Sequence, residues 1–152
     1  MMLKDRVALV TGAGQGVGEG IALALAAEGA HVVAAGRTLS KVEGTAKTIE
    51  QRGGRAVATA CDVKDPASLQ RCVDAALGAF GTIDILVNNA QEVPLGTLDD
   101  VSDEAFEAGW QSGPLATFRL MKLCRPHLRD GGVIIDLAST AAKRRTTRRP
   151  SF

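Results

Sequence analysis

Apolar residues fall along this chain in two patterns: short unbroken blocks, and longer stretches in which they recur every three or four positions. The blocks are residues 6–11 (RVALVT), 31–35 (HVVAA), 55–61 (RAVATAC), 83–87 (IDILV) and 133–137 (VIIDL). Runs this short and apolar, closed by glycine or turn residues, fit strands of a parallel sheet buried on both faces. The stretches between them read as helices. One runs from about 16 to 28 with Ile21, Ala22, Leu25 and Ala26 on one face, and Gly29 stops it. Val42, Ala46 and Ile49 mark a second, ended by Gly53-Gly54. Asp65-Pro66 reads as the N-cap and first position of a third, which buries Val73, Ala76, Leu77 and Phe80 before Gly81. Ser102 caps a long fourth stretch carrying Phe106, Trp110, Phe118, Met121 and Cys124, which Gly113-Pro114 should kink. Five strands alternating with helices predict a doubly wound α/β sheet, and right-handed crossovers give the order 3-2-1-4-5.

The turn after the first strand carries the first chemistry. Thr11-Gly12-Ala13-Gly14-Gln15-Gly16-Val17-Gly18 follows a TGxxxGxG spacing, with Gly12, Gly16 and Gly18 in register. Glycines here let the backbone turn tightly and approach a pyrophosphate, while the next helix offers its free N–H groups and positive dipole end. Three further sites stand at strand ends: Asp62-Val63 after the third strand, Asn88-Asn89-Ala90 after the fourth, and Ser139 past the fifth. With these residues the chain, from 3 to about 142, resembles the short-chain dehydrogenase/reductase family, and the resemblance implies a Rossmann-type fold. It implies cofactor contacts from Gly12, Gln15, Gly16, Val17, Asp62, Val63, Asn89, Ala90 and Gln91. Asp62 would bond the adenine ring, and Asn89 and Ala90 would line the cofactor and steady the central strand.

Cofactor choice turns on the end of the second strand. An acid there would take the ribose 2′-OH of NAD. This chain has Gly36-Arg37 instead, and a guanidinium pairs with a 2′-phosphate through charge-assisted bonds. NADP(H) is therefore expected over NAD(H).

The family's reaction is reversible oxidation of a secondary alcohol, or reduction of a ketone, by hydride exchange with the nicotinamide. A serine positions the substrate oxygen. A tyrosine moves the proton, and a lysine four residues later tunes it. Ser139, in Asp136-Leu137-Ala138-Ser139, matches the serine. The 152 residues contain no tyrosine, and Phe152 stands where the resemblance would put it. Phenylalanine has no hydroxyl to transfer a proton. Gln91 replaces a usual glycine and would be strained if its φ were positive. Gly113 stands where the family's long helix usually carries an asparagine. The expectation is a dehydrogenase-type domain at 1–142, incomplete at its C-terminus and catalytically impaired. The alternatives are a non-catalytic NADP(H)-binding module and an unstable truncation product whose fifth strand is an open edge.

Composition adds bounds. At 152 residues, 45% hydrophobic and 23% charged, the chain has the length and balance of one soluble domain. No apolar run approaches the roughly 20 residues that span a bilayer, and no signal-peptide pattern opens the chain, so a cytoplasmic location is expected. Cys61, Cys72 and Cys124 form no CxxC pair and read as reduced, partly buried thiols; neither His31 nor His127 has a ligand-spaced partner, so no metal is expected. The net charge of +1 is uneven. Five of the 18 basic residues lie in 143–152 with no acid, leaving 13 against 17 acidic ones before them, a net of −4. The segment KRRTTRRPSF reads as an unstructured basic tail. Nucleic acid is disfavoured as its partner, since no aromatic is interleaved and no binding fold surrounds it. A change of reading frame near Lys143 would account for it, and a Tyr-x-x-x-Lys segment in another frame would support that account. Substrate is not legible, and self-association is left open.

Overall fold

Five parallel strands form one sheet, ordered β3-β2-β1-β4-β5, in the computed structural model, which describes residues 1–139. β1 is Val7–Thr11, β2 His31–Gly36, β3 Arg55–Ala60, β4 Ile83–Asn88 and β5 Leu128–Asp136. Helix α1 spans Gly16–Ala27, α2 Leu39–Gln51, α3 Pro66–Phe80, α4 Asp103–Trp110 and α5 Ala116–Cys124. This is the doubly wound order expected from the crossover rule.

The sheet separates two apolar layers. Leu9, Leu86, Leu69, Val73 and Leu120 pack on the side of α3 and α5. Val10, Val87, Val32, Val42 and Ile49 pack on the side of α1 and α2. Neighbours on one strand, such as Leu9 and Val10, point to opposite layers because strand side chains alternate faces. All five residues of β1 and all six of β4 are buried, which explains why both read as unbroken apolar runs. Each fully buried leucine contributes roughly 1.5–3 kcal/mol.

The caps follow local chemistry. The Asp65 carboxylate accepts from the backbone N–H groups of Ala67 and Ser68 at 3.1 and 3.0 Å. Gly81 closes α3 in the left-handed conformation at φ +74°. The Ser102 hydroxyl accepts from Ala105 N at 3.2 Å.

Two elements differ from the expectations. The long fourth helical stretch is interrupted where Gly113-Pro114 foretold, by a π-helical turn over Gln111–Leu115. However, Phe106, Trp110, Phe118 and Met121 lie on its exposed side, and the buried row is Ser112, Ala116, Leu120 and Cys124, four residues apart. Of the five residues the sequence marked in this stretch, Cys124 is buried in that row and the other four are exposed.

The fifth strand begins earlier than 133. Between Ile83 and Ile85 β4 advances two residues while β5 advances from Leu128 to Val133. The surplus makes an irregular bulge, with Gly131 at φ +79°. Its charged and glycine residues hid this part of the strand from a hydrophobic reading. Nor does Gln91 carry the conditional strain: among the described residues, Asp5 is the non-glycine residue with positive φ. The expectations about the 143–152 tail, the frame at Lys143, the domain boundary at 142 and Phe152 lie outside the described residues.

Candidate functional site

Strand order reverses between β1 and β4, and a crevice opens where their C-terminal ends part, the place where doubly wound sheets take ligands. A cleft of about 430 Å³ lies there. Gly12, Gln15, Gly16 and Val17 of the glycine loop line it, with Arg37 from the end of β2, Asp62 and Val63 from the end of β3, and Asn89, Ala90 and Gln91 from the end of β4. Residues spread over 80 positions of sequence are thus brought to one opening. Ser139, three residues past β5, is exposed and lies outside the residues lining the cleft.

The loop is held by Asn89 and Thr11. The Asn89 carboxamide Nδ2 donates to Thr11 O at 2.9 Å and Gly12 O at 3.4 Å. The Thr11 hydroxyl accepts from the N–H groups of Asn89 and Ala90, each at 3.0 Å, and donates to Val87 O at 3.3 Å. These bonds lock the end of β1 against the end of β4. They also explain Gly18: a Cβ there would stand 2.2 Å from Gly12 O and 2.4 Å from Asn89 Nδ2. The constraint at Gly16 is different. Its φ is +57°, and a Cβ would meet no protein atom within 4 Å. Its bare backbone therefore faces open space.

The N-terminus of α1 has no side-chain cap. Gln15, the N-cap residue, makes no capping bond, and its Oε1 accepts from Lys41 Nζ instead. The first N–H groups of α1 are thus left by Gln15 for another acceptor, with the helix dipole behind them and Lys41 beside them. Lined by glycine backbone and cations, this pocket fits the diphosphate of a dinucleotide. Its volume lies within the range of small-molecule sites, roughly 300–1,000 Å³.

At the end of β3, the Asp62 carboxylate accepts from Lys64 N at 3.0 Å, and Ser68 Oγ accepts from Asp62 N at 3.1 Å. The turn thus fixes the aspartate at the rim. Behind it lie the three thiols. Cys61 lines the cleft. The Cys72 thiol beside it holds Cys61 below the usual thiol range against the opposing effect of burial. Cys72 is pushed up by its bond to Cys61 and by burial, and burial pushes Cys124 up to about 12. Among the described residues no cluster of His, Cys, Asp and Glu suits a metal ion.

Four residues at the site were not anticipated from sequence. Lys41 stands in the first turn of α2, where a cation opposes the helix dipole; that misplacement is its local signal. Glu92 joins Arg37 and Lys64, and its backbone N–H donates to the buried Ser112 Oγ at 2.8 Å. Nothing in the local sequence pairs residues 37, 64, 92 and 112. Gln91 Oε1 lies 3.9 Å from the Cβ position of Gly113, so the Gln91 side chain borders the space that a longer residue at 113 would enter.

The comparisons agree with this architecture. The family model described as short chain dehydrogenase matches residues 6–152. The chain is 36% identical over 141 residues to the versicolorin reductase of Emericella nidulans, covering 92% of this chain and 53% of that protein. It is 36% identical over 147 residues to the galactitol 2-dehydrogenase of Agrobacterium fabrum, covering 95% and 56%. A short-chain dehydrogenase from Burkholderia cenocepacia J2315, solved in complex with NADP, superposes with a TM-score of 0.92 at 34% identity, covering 98% of this chain and 61% of that one. The chain spans about half the length of the curated relatives it matches. With its glycine loop, strand order and Asn89 lock all in place, the chain belongs to the short-chain dehydrogenase family of oxidoreductases.

Proposed function

We propose that this chain binds NADP(H), in preference to NAD(H), as the cofactor-holding part of an oxidoreductase acting on secondary alcohols and ketones. The observation that carries this reading is the meeting of Arg37 with the uncapped N-terminus of α1 in one cleft. The N–H groups of α1 and Lys41 hold the diphosphate, Asp62 the adenine, and Arg37 the 2′-phosphate. Asn89 and Ala90 shape the wall on which the nicotinamide half lies. When bound, the nicotinamide gives or takes the hydride. Ser139 orients the substrate oxygen.

The proton step decides a second reading. The 152 residues hold no tyrosine, so a polypeptide of this sequence alone has no phenol to move that proton. For that polypeptide taken by itself the second reading is an NADP(H)-binding module without turnover. The exposed Phe106, Trp110, Phe118 and Met121 on α4 and α5 are the surface through which we place self-association. The three free thiols fit a reducing compartment such as the cytoplasm, and among the described residues no helix is long and apolar enough to cross a membrane.

Fluorescence titration of the 152-residue chain with NADPH, run beside NADH, tests the binding reading. Saturable binding that is tighter for NADPH is the expected result; saturation by neither would refute it. NADPH-dependent ketone reduction by the same polypeptide would overturn the reading without turnover.

A further inference from the structure

Glu92 closes the rim of the cleft with two cations. Its Oε1 accepts from Arg37 Nη1 at 2.6 Å and stands 3.0 Å from Lys64 Nζ. The three residues follow three different strands, β2, β3 and β4. Ser112, buried beneath, pins the Glu92 backbone, so the carboxylate is delivered to this spot rather than swept there by a loose loop. Two positive groups converging on one oxygen make an anion-binding pair, and the anion they hold is the chain's own.

We propose that Glu92 is an exchangeable internal anion: it occupies the Arg37–Lys64 pair until the 2′-phosphate of NADP(H) displaces it. The inference rests on the NADP(H) reading above and adds Glu92 and Lys64 as residues that set the choice between phosphorylated and unphosphorylated dinucleotide. The carboxylate is singly charged, whereas a phosphate monoester carries about 1.5–2 negative charges at neutral pH and three acceptor oxygens. It can therefore satisfy both cations at once. All three side chains keep solvent contact, with 63% exposure at Arg37, 31% at Glu92 and 29% at Lys64, so their pairing is cheap to break. A dinucleotide with a free 2′-OH has no charge to offer in exchange and leaves Glu92 in place. Glu92 thus competes with one cofactor and not with the other.

The test compares the wild-type chain with Glu92→Gln and Lys64→Gln, titrating each with NADPH and with NADH. Glu92→Gln keeps the shape and removes the competing charge. It should tighten NADPH roughly three- to thirty-fold, the gain from no longer breaking two exposed ion pairs, and change NADH less than about twofold. Lys64→Gln should move the other way, weakening NADPH several-fold and sparing NADH. The opposite signs separate the proposal from a general loosening of the fold, which would weaken both ligands in both variants. If Glu92→Gln weakens NADPH, or shifts both dinucleotides equally, the exchange is overturned while the cofactor reading stands. If wild-type chain saturates with neither, the cofactor reading fails and takes this inference with it.

Discussion

Arg129 of β5 grips Asp84 of β4 with both arms of its guanidinium: Nε donates to Oδ1 at 2.7 Å, and Nη2 to Oδ2. The carboxylate is 2% exposed and also accepts from Arg6 Nη1 and Val7 N, both at 2.8 Å. It therefore clamps the N-terminal ends of β1, β4 and β5, the end of the sheet opposite the cleft. The bulge between Leu128 and Val133 carries Arg129 to this carboxylate, which gives that irregularity a structural purpose.

The clamp predicts an acid-sensitive stability. Burial pushes the Asp84 carboxyl up, but the bonds from Arg129, Val7 N and Arg6 outweigh it and hold the group at about 2. A depressed native value means that the unfolded chain binds the proton first as pH falls. The stabilisation is full above about 4, falls away toward 2, and amounts to about 2 kcal/mol. Asp84→Asn should lower Tm at neutral pH by roughly 4–8 °C and flatten the pH dependence of Tm between 5 and 2. An unchanged acid limb would show that the clamp does not hold in solution.

Gly16 and Gly18 should respond to alanine for different reasons and to different degrees. At Gly18 the added Cβ strikes Gly12 O and the Asn89 carboxamide, so Gly18→Ala should cost about 3 kcal/mol or more and disorder the loop. At Gly16 it enters open space at φ +57°, so Gly16→Ala should cost about 1 kcal/mol of strain. It should still abolish dinucleotide binding, because the methyl stands where the diphosphate must approach. Thermal melts beside NADPH titrations separate the two.

Asn89→Ala strips a donor from Thr11 O and Gly12 O, at a cost of about 1–3 kcal/mol. The loss is local, so hydrogen exchange should accelerate over residues 11–18 before it does in α3. Uniform acceleration would mean that Asn89 supports the whole sheet rather than the loop.

The three thiols should label in sequence. All three thiols are buried rather than partly buried, but Cys61, 2% exposed, borders the cleft and has the lowered value, so iodoacetamide should reach it first, slowly, and NADPH should slow the reaction further. Cys124, fully buried on α5 with its thiol pushed up to about 12, should react only in denaturant. Mass spectrometry of timed aliquots gives the order, and equal rates at all three would contradict it.

By itself the sequence determined the strand order and most of the strands. Apolar blocks bounded by glycine are local signals, and buried parallel strands leave little else for them to be, so β1 to β4 and their order were legible. The TGxxxGxG spacing and Arg37 stood out by their positions after strands, whereas Asp62 and Asn89 were singled out by the family resemblance; the fold brings all of them to one cleft. What only the tertiary structure decided are the pairings between distant residues. Arg129 with Asp84, Glu92 with Arg37 and Lys64, and Asn89 with the Thr11 and Gly12 carbonyls join different elements. No periodicity records such partners, because a charge or an amide finds its counterpart only after the strands align. The same holds for the face of α4 and α5 that is covered: packing against the sheet buries Leu120 and Cys124 and leaves Trp110 and Phe118 exposed.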